Sequence, residues 1–189
     1  MARGKGGPSG PQLPGMPKVP GRVSQARRRA AGDSAEARAD ALHRACELAG
    51  VAYIRRVASN VRIVRNRRSG GALGAVFTGK STVDCWGMLL ATDKDGARPV
   101  AIEIKSCASG RLDLSILPQH QRDELARVER GGGLALLLVV GREAIWAVPW
   151  YEVNGWLGVG KATAGPLELG QWLVTPGRPY LARWRRVGA

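Results

Sequence analysis

Apolar positions recur along the chain with periods that predict an α/β protein. After Asp33 the alanines return at near-helical spacing, and Asp33 with Glu36 resembles a capping box. These signals predict an amphipathic helix over residues 33–49. A β-prone stretch follows over residues 51–58.

The middle of the chain predicts a hairpin, then a helix, then more strands. Two apolar stretches, over residues 82–92 and 98–106, flank Asp93–Gly96, a segment with strong turn chemistry. The elements predicted after them are a helix from Pro118 to Gly131 and strands over residues 134–140 and 144–148. Beyond Trp150 we expect glycine-rich loop and one short helix. The order of the elements indicates a mixed β-sheet flanked by helices.

Residues 1–32 differ from the rest of the chain in composition. They hold seven lysines and arginines, no acidic residue, and five prolines, Pro8, Pro11, Pro14, Pro17 and Pro20. Such a segment buries too little apolar surface to offset its loss of conformational entropy, so we expect a disordered basic tail before a folded domain at residues 33–189. Composition leaves open whether the tail is inert or tethers the protein to phosphates.

Charge narrows the class of partner. The 189 residues include 29 Lys and Arg against 15 Asp and Glu, a net charge of +14. A field of this sign attracts polyanions, of which nucleic acid is the commonest. A ribosome-associated protein, a merely basic protein and a peripheral membrane binder share this property.

Cysteine usage and hydropathy indicate the cellular compartment in which the protein is expected. The three cysteines form no CxxC pair, which argues against a disulfide framework and a structural zinc site. The longest apolar run, Leu134 to Val140, is too short to span a bilayer, and the N-terminus lacks a secretory core segment. We therefore expect a soluble cytoplasmic protein without membrane association.

Candidate chemistry lies on the predicted hairpin. Glu103 and Lys105 stand two residues apart in the second strand and therefore project from one face, whereas Ile102 and Ile104 face the other way. If the strands pair, Asp84 near the start of the first strand lies close to the end of the second. The three polar side chains then converge at one end of a sheet.

This trio suits phosphodiester hydrolysis. Two carboxylates supply the oxygen ligands that Mg²⁺ prefers, with Mn²⁺ as an alternative ion, and the metal activates water. The ammonium of Lys105 stabilises charge that develops on the phosphate. The same spacing arises by chance on many solvated strands. Here, however, Glu103 and Lys105 interrupt an apolar strand, a costly place for charge.

A nucleotide cofactor is not expected. The segment from Gly155 to Ala162 nearly spells a phosphate-binding loop, but Ala162 stands where Ser or Thr would hold Mg²⁺.

Four sequence segments stand out in order along the chain. They are Gly32-x-x-x-Glu36, Lys80-Ser81-Thr82-Val83-Asp84-x-x-Gly87, Glu103-Ile104-Lys105-Ser106, and His120-Gln121 followed by Gly131-Gly132-Gly133-Leu134-Ala135. Together they resemble the RecU-type Holliday junction resolvases of the PD-(D/E)xK nuclease superfamily. The likeness covers roughly residues 30–152 in the family's order. Cys85 departs from it, because the family usually has an aromatic residue there.

The resemblance implies a restriction-endonuclease-like fold and a Mg²⁺-dependent, homodimeric endonuclease that makes paired nicks across four-way DNA junctions. It implies that Asp84 and Glu103 hold the metal, that Glu36 completes the metal shell, and that Lys105 assists the attacking water. Gln121 would support the site from the second helix.

Expected DNA contacts are basic and directed at phosphates. A segment at about residues 60–78 corresponds to the family's stalk, and the predicted contacts are Arg62, Arg65, Arg67, Arg68 and Lys80. Two alternatives stay open: a related nuclease acting on duplexes or ends, and a non-catalytic DNA-binding protein whose carboxylates only neutralise a buried lysine.

Overall fold

The computed structural model of the protein describes residues 22–57, 61–65, 72–77, 83–92, 96–107 and 109–185. The side chains of residues 22–29, 31, 32, 61–65 and 72–77 are left out of that description. The disorder expected for residues 1–32 is wrong for residues 22–32, which are helical, while residues 1–21 lie outside the described residues. Residues 93–95 of the expected turn also lie outside them. The division into a tail and a nuclease domain stays a prediction.

Helices cover both faces of a central sheet. The α-helices are α1 (Arg22–Leu48), α2 (Gln119–Arg130), α3 (Trp150–Gly158) and α4 (Pro166–Gly170). Two 3₁₀ helices span Leu114–Ile116 and Tyr180–Trp184. None of the helices in the described ranges is long and apolar enough to cross a membrane.

Strands in the described ranges form three sheets. They are β1 (Ala52–Arg56), β2 (Val61–Arg65), β3 (Ala72–Phe77), β4 (Cys85–Leu89), β5 (Arg98–Cys107), β6 (Leu112–Asp113), β7 (Leu134–Gly141), β8 (Ile145–Pro149) and β9 (Thr163–Ala164). The main sheet has the order β1-β4-β5-β7-β8, while β2 pairs with β3 and β6 with β9. Only the β5–β7 pairing of the main sheet is parallel. The predicted mixed sheet flanked by helices is confirmed.

Alternation along β5 assigns its side chains to two cores. Ile102 and Ile104 pack on the α1 face, together with Ala39 of α1 and Leu181 of the last 3₁₀ helix. The opposite face packs against α2 and α3, and it holds Ala101. Because helices cover both faces, β7 is apolar and buried throughout, as expected for a strand inside a doubly covered sheet.

The predicted start of the first helix is wrong. The helix begins at Arg22, not at Asp33, so the apparent capping box lies in its interior. Residues 22–31 are rich in alanine and arginine, which are good helix formers, and a single interior Gly32 costs only about 1 kcal/mol.

The prediction of loop beyond Trp150 is also wrong. Two α-helices and a 3₁₀ helix occur there, and the segment around Leu173 adds to the outer edge of β8. Ala147 N donates to Trp172 O at 2.9 Å, and Val174 N donates to Ile145 O at 2.8 Å. This segment therefore covers one edge of the main sheet.

Candidate active site

Antiparallel pairing of β4 and β5 brings Asp84 to Glu103. Cys85 pairs with Ile102, so Asp84, one residue before β4, stands beside Glu103. The backbone N–H of Ile104 donates to Asp84 Oδ2 at 2.8 Å, which orients this carboxylate toward the end of β5. The convergence predicted from the hairpin is therefore present.

Glu103 is a buried carboxylate held by a lysine. Only 1% of its surface is exposed, and the Lys105 ammonium donates to Glu103 Oε1. The same ammonium donates to Gln121 Oε1 of α2 at 3.1 Å. Gln121 thus helps to position Lys105, and the structure brings together four of the predicted residues: Asp84, Glu103, Lys105 and Gln121.

Burial and charge act together on the acidity of Glu103. The pKa of Glu103 is raised from 4.5 to about 7, mainly by desolvation and secondly by the neighbouring Asp84 carboxylate. The Lys105 ammonium opposes both effects. A pKa in this range means that a nearby cation readily controls the ionisation of Glu103.

A cavity of about 170 Å³ opens above these groups. Asp84 and Lys105 line it, together with Glu36 of α1 and Ser106 at the end of β5. Glu103 does not line the cavity. The cavity opens the Asp84 carboxylate and the Lys105 ammonium to solvent.

Glu36 reaches this cavity but is held by an arginine. Arg56 of β1 donates to Glu36 Oε2 at 2.7 Å and to Asp40 Oδ1 at 3.0 Å. Across the described part of the chain, no group of three or more His, Cys, Asp or Glu side chains is arranged to hold a metal ion. The structure therefore pairs Asp84 with Glu103 and leaves Glu36 engaged elsewhere.

The residues present fit a divalent cation at the carboxylate pair. Glu103 Oε2 is buried and accepts no hydrogen bond from the described residues. The Asp84 carboxylate lies close enough to disfavour the charge of Glu103. A cation between the two carboxylates would satisfy this oxygen and relieve the repulsion. Mg²⁺ commonly binds through one or two carboxylates plus water and phosphate.

The predicted DNA contacts fall largely outside the described side chains. Arg62 and Arg65 belong to β2, which pairs with β3 in a two-stranded ribbon separate from the main sheet. Their side chains are not described, and Arg67, Arg68 and Lys80 lie outside the described residues.

The contacts of Arg38, which lies near the site, were not predicted from the sequence. Arg38 of α1 donates to the backbone oxygen of Gly141, and it also donates to the backbone oxygen of Arg142 at 3.2 Å. Arg38 and Gly141 are 103 positions apart, so no local pattern announces this contact.

A comparison of the sequence with known protein families identifies the family of this chain. Residues 32–163 match the family described as RecU, Recombination protein U. The chain belongs to the RecU family. The resemblance noted from its motifs is confirmed, and the match includes Glu36, Asp84, Glu103, Lys105 and Gln121.

One solved structure shows a weaker likeness to this RecU-family chain. It is an Archaeoglobus fulgidus protein, Hjc, titled a Holliday junction resolvase from an archaeal hyperthermophile. The two chains share 18% identity with a TM-score of 0.29, and the similarity covers 50% of this chain and 62% of that one. No curated protein matches the chain significantly.

The RecU match ends before the fold does. Leu169, Trp172, Tyr180 and Leu181 lie beyond residue 163, yet each is buried. The C-terminal segment is thus part of the folded unit of this RecU-family chain.

Proposed function

We propose that the protein is a metal-dependent DNA endonuclease that resolves four-way Holliday junctions. The observation that carries this proposal is the buried Glu103, set against Asp84 and bonded to Lys105, at one end of a sheet in a RecU-family chain. A buried carboxylate beside a second carboxylate and a compensating lysine costs folding free energy, which is typical of a site kept for chemistry.

The metal site is proposed at Asp84 and Glu103. Mg²⁺ there, with Mn²⁺ as a substitute, would polarise the scissile phosphate and lower the pKa of a water. The Ile104 N–H keeps Asp84 in place for this role. Glu36 could hold the metal as a third carboxylate only after the loss of its 2.7 Å ion pair with Arg56.

Lys105 is proposed to stabilise the reacting phosphate. Its ammonium borders the cavity and is held by Glu103 and Gln121. If a cation neutralised the carboxylates, the attraction of Lys105 to Glu103 would weaken and its ammonium could face the phosphate. There it stabilises negative charge in the transition state and orients the attacking water.

Paired cleavage of a junction needs two such sites. Each chain supplies one carboxylate pair, so we propose a homodimer with two-fold symmetry that nicks opposite strands. Arg62, Arg65, Arg67, Arg68 and Lys80 are proposed to contact phosphates of the junction arms.

Cleavage of a labelled four-way junction and of a matched linear duplex in Mg²⁺ tests the activity. We expect the wild type to make paired nicks on the junction alone. Asp84→Asn keeps an oxygen that accepts the Ile104 hydrogen bond but loses the charge, so it should bind the junction without cutting it. Asp123→Asn, an exposed position on α2, serves as the matched control and should cut normally.

The outcomes separate the alternatives. Equal cutting of duplex and junction would favour a different nuclease of the same superfamily. No cutting with either Mg²⁺ or Mn²⁺, while the junction still binds, would identify a non-catalytic DNA-binding protein.

Mixing chains tests the dimer. Heterodimers of wild type and Asp84→Asn should nick a junction on one strand, because only one site is competent. Paired nicks from such heterodimers would contradict the symmetric arrangement.

A further inference from the structure

A second cavity continues from the active site along the end of the sheet. It has a volume of about 290 Å³ and shares Ala35 and Ser106 with the cavity above Asp84 and Lys105. Its far side is formed by Arg38 of α1 and Arg142 after β7. The two cavities therefore form one continuous groove.

The second cavity is positively charged. It is lined by two arginines, Arg38 and Arg142, by two serines, Ser34 and Ser106, and by no acidic side chain. Neither Arg38 nor Arg142 forms an ion pair with a carboxylate in the described ranges. Arg55, Arg56 and Lys161, by contrast, are each paired.

Arg38 fixes the position of the second arginine. Its Nη1 donates to the backbone oxygens of Gly141 and Arg142, which holds the turn after β7 against α1. The other guanidinium donors of Arg38 have no partner among the residues that the structure describes. A guanidinium anchored by one nitrogen keeps further N–H groups for an anion.

The groove matches the path of a nucleic-acid strand. Lys105 pairs with Val139 and Cys107 with Gly141, so Arg142 lies three positions beyond Val139 in the same direction. At about 3.3 Å per residue this is about 10 Å from the level of Lys105. A strand of duplex DNA carries one charge per about 3.4 Å of helix axis, so a neighbouring phosphate falls within this span.

We propose that Arg38 and Arg142, with the hydroxyls of Ser34 and Ser106, bind a phosphodiester group of the cleaved strand, a few nucleotides from the scissile phosphate. The inference rests on the proposed function for the identity of the bound strand. Arg38 positions the turn and Arg142 contributes the exposed charge. The subsite holds the strand in register with Asp84 and Lys105.

Binding measurements test the subsite without requiring cleavage. The affinity for a labelled four-way junction is measured at several salt concentrations for wild type, Arg142→Gln and Arg130→Gln. Arg130 ends α2 at the opposite end of β7, so it is the matched control. We expect Arg142→Gln to bind more weakly and to lose about one unit of the log–log salt slope. Arg130→Gln should retain the wild-type slope.

Neutral phosphates then locate the contact. Single methylphosphonates are placed in turn along one strand near the branch point. At one position the substitution should weaken binding by the wild type and by Arg130→Gln but not by Arg142→Gln. Arg38→Lys keeps the charge but not the fork geometry of the guanidinium. This variant should weaken the contact with the phosphate at that same position of the DNA strand.

The possible results are distinct. A wild-type salt slope in Arg142→Gln, or the same methylphosphonate profile in both proteins, overturns the subsite even if the wild type cleaves junctions. A shifted profile in a protein that does not cleave supports the subsite and contradicts the proposed nuclease activity instead.

Discussion

At the scale of single residues, Glu103 is a catalytic candidate whose surroundings strongly oppose its charge. It is buried, it lies beside Asp84, and its pKa rises from 4.5 to about 7. The folded state thus favours the protonated acid. The contribution of this group to stability is complete below pH 4.5 and is lost as the pH rises through about 7.

Glu103→Gln should remove this pH dependence from the metal-free protein. The shift corresponds to about 3 kcal/mol, so the wild type should lose up to that amount of stability, relative to the variant, between about pH 5 and pH 8. Urea unfolding at both pH values measures the difference. Glu168→Gln replaces a partly exposed acid whose pKa is lowered to about 2, and it should follow the wild type over this range.

Parallel stability curves for wild type and Glu103→Gln would show that Glu103 ionises freely in the fold. Addition of Mg²⁺ to the wild type at pH 8 should restore most of the lost stability, because a cation that binds only the folded state stabilises it. The Gln variant should gain less from the metal.

The centre of the site could be predicted from the sequence because its residues follow a local pattern. The two-residue spacing of Glu103 and Lys105 determines a shared face, and a strong turn between the strands brings Asp84 to them. Arg56 and Arg38 escaped prediction because their partners lie far along the chain, on elements whose packing the sequence leaves open.

At the scale of elements, Gly87 explains one position of the family motif. A Cβ at Gly87 would lie 2.0 Å from Tyr53 O and 2.5 Å from the Cδ1 atom of Ile54. The β1 backbone therefore approaches β4 too closely for any side chain. This approach keeps β4, and Asp84 just before it, in register with the rest of the sheet.

Gly87→Ala should destabilise the protein by about 1–3 kcal/mol, because the added methyl group forces β1 away from β4. Gly96→Ala is the control, since nothing lies within 4 Å of a Cβ placed there. Urea unfolding of both variants checks the expectation. Equal stability would mean that β1 moves aside without cost.

Helix α1 carries a second buried titratable group, His43. It is 6% exposed, its Nε2 has no hydrogen-bond partner among the described residues, and its ring lies 6.0 Å from that of Tyr180. Burial lowers the pKa of His43 from 6.5 to about 4; Asp40 opposes this effect and Arg56 adds to it. The stability that the neutral ring provides is complete above pH 6.5 and is lost as the pH falls through about 4.

His43→Leu should therefore make the contact between α1 and the last 3₁₀ helix less sensitive to acid. The shift corresponds to about 3 kcal/mol between the two pH values. Thermal unfolding at about pH 4.5 and pH 7 should show a smaller difference for the variant than for the wild type. His120→Gln, on α2, is the control and should keep the wild-type difference. An unchanged difference in His43→Leu would refute the assignment.

Most elements were predictable, and the failures have a common cause. Strand β7 follows from a continuous apolar run, β5 follows from an apolar stretch after a strong turn, and α2 follows from its periodicity between Pro118 and Gly131. The start of α1 was missed because a basic, alanine-rich helix and a basic tail have similar composition. Beyond Trp150 the helices are short, so their periodicity is too brief to recognise.

At the scale of the whole molecule, both ends of the described chain complete one core. Leu181 is fully buried and packs with residues of α1 and β7, although it lies beyond the family match. The edge of β8 is covered by residues 172–174. The C-terminal segment is therefore required for stability as well as for covering the sheet.

Leu181→Ala should cost about 2–5 kcal/mol, the usual range for a leucine removed from a core. Leu173→Ala, where half of the side chain is exposed, should cost much less. Chemical denaturation of the two variants compares them directly. Similar small losses would indicate that the C-terminal segment is only loosely attached.

The packing of α1 against the 3₁₀ helix at Tyr180–Trp184 has a consequence for synthesis of the protein. Helix α1 is synthesised before the sheet on which it packs, but its partners Tyr180 and Leu181 emerge only after all five strands of the main sheet. Until then the α1 face of the sheet lacks part of its cover, and nascent chains expose apolar surface. We therefore expect this face to be shielded from aggregation only after Tyr180 and Leu181 have left the ribosome.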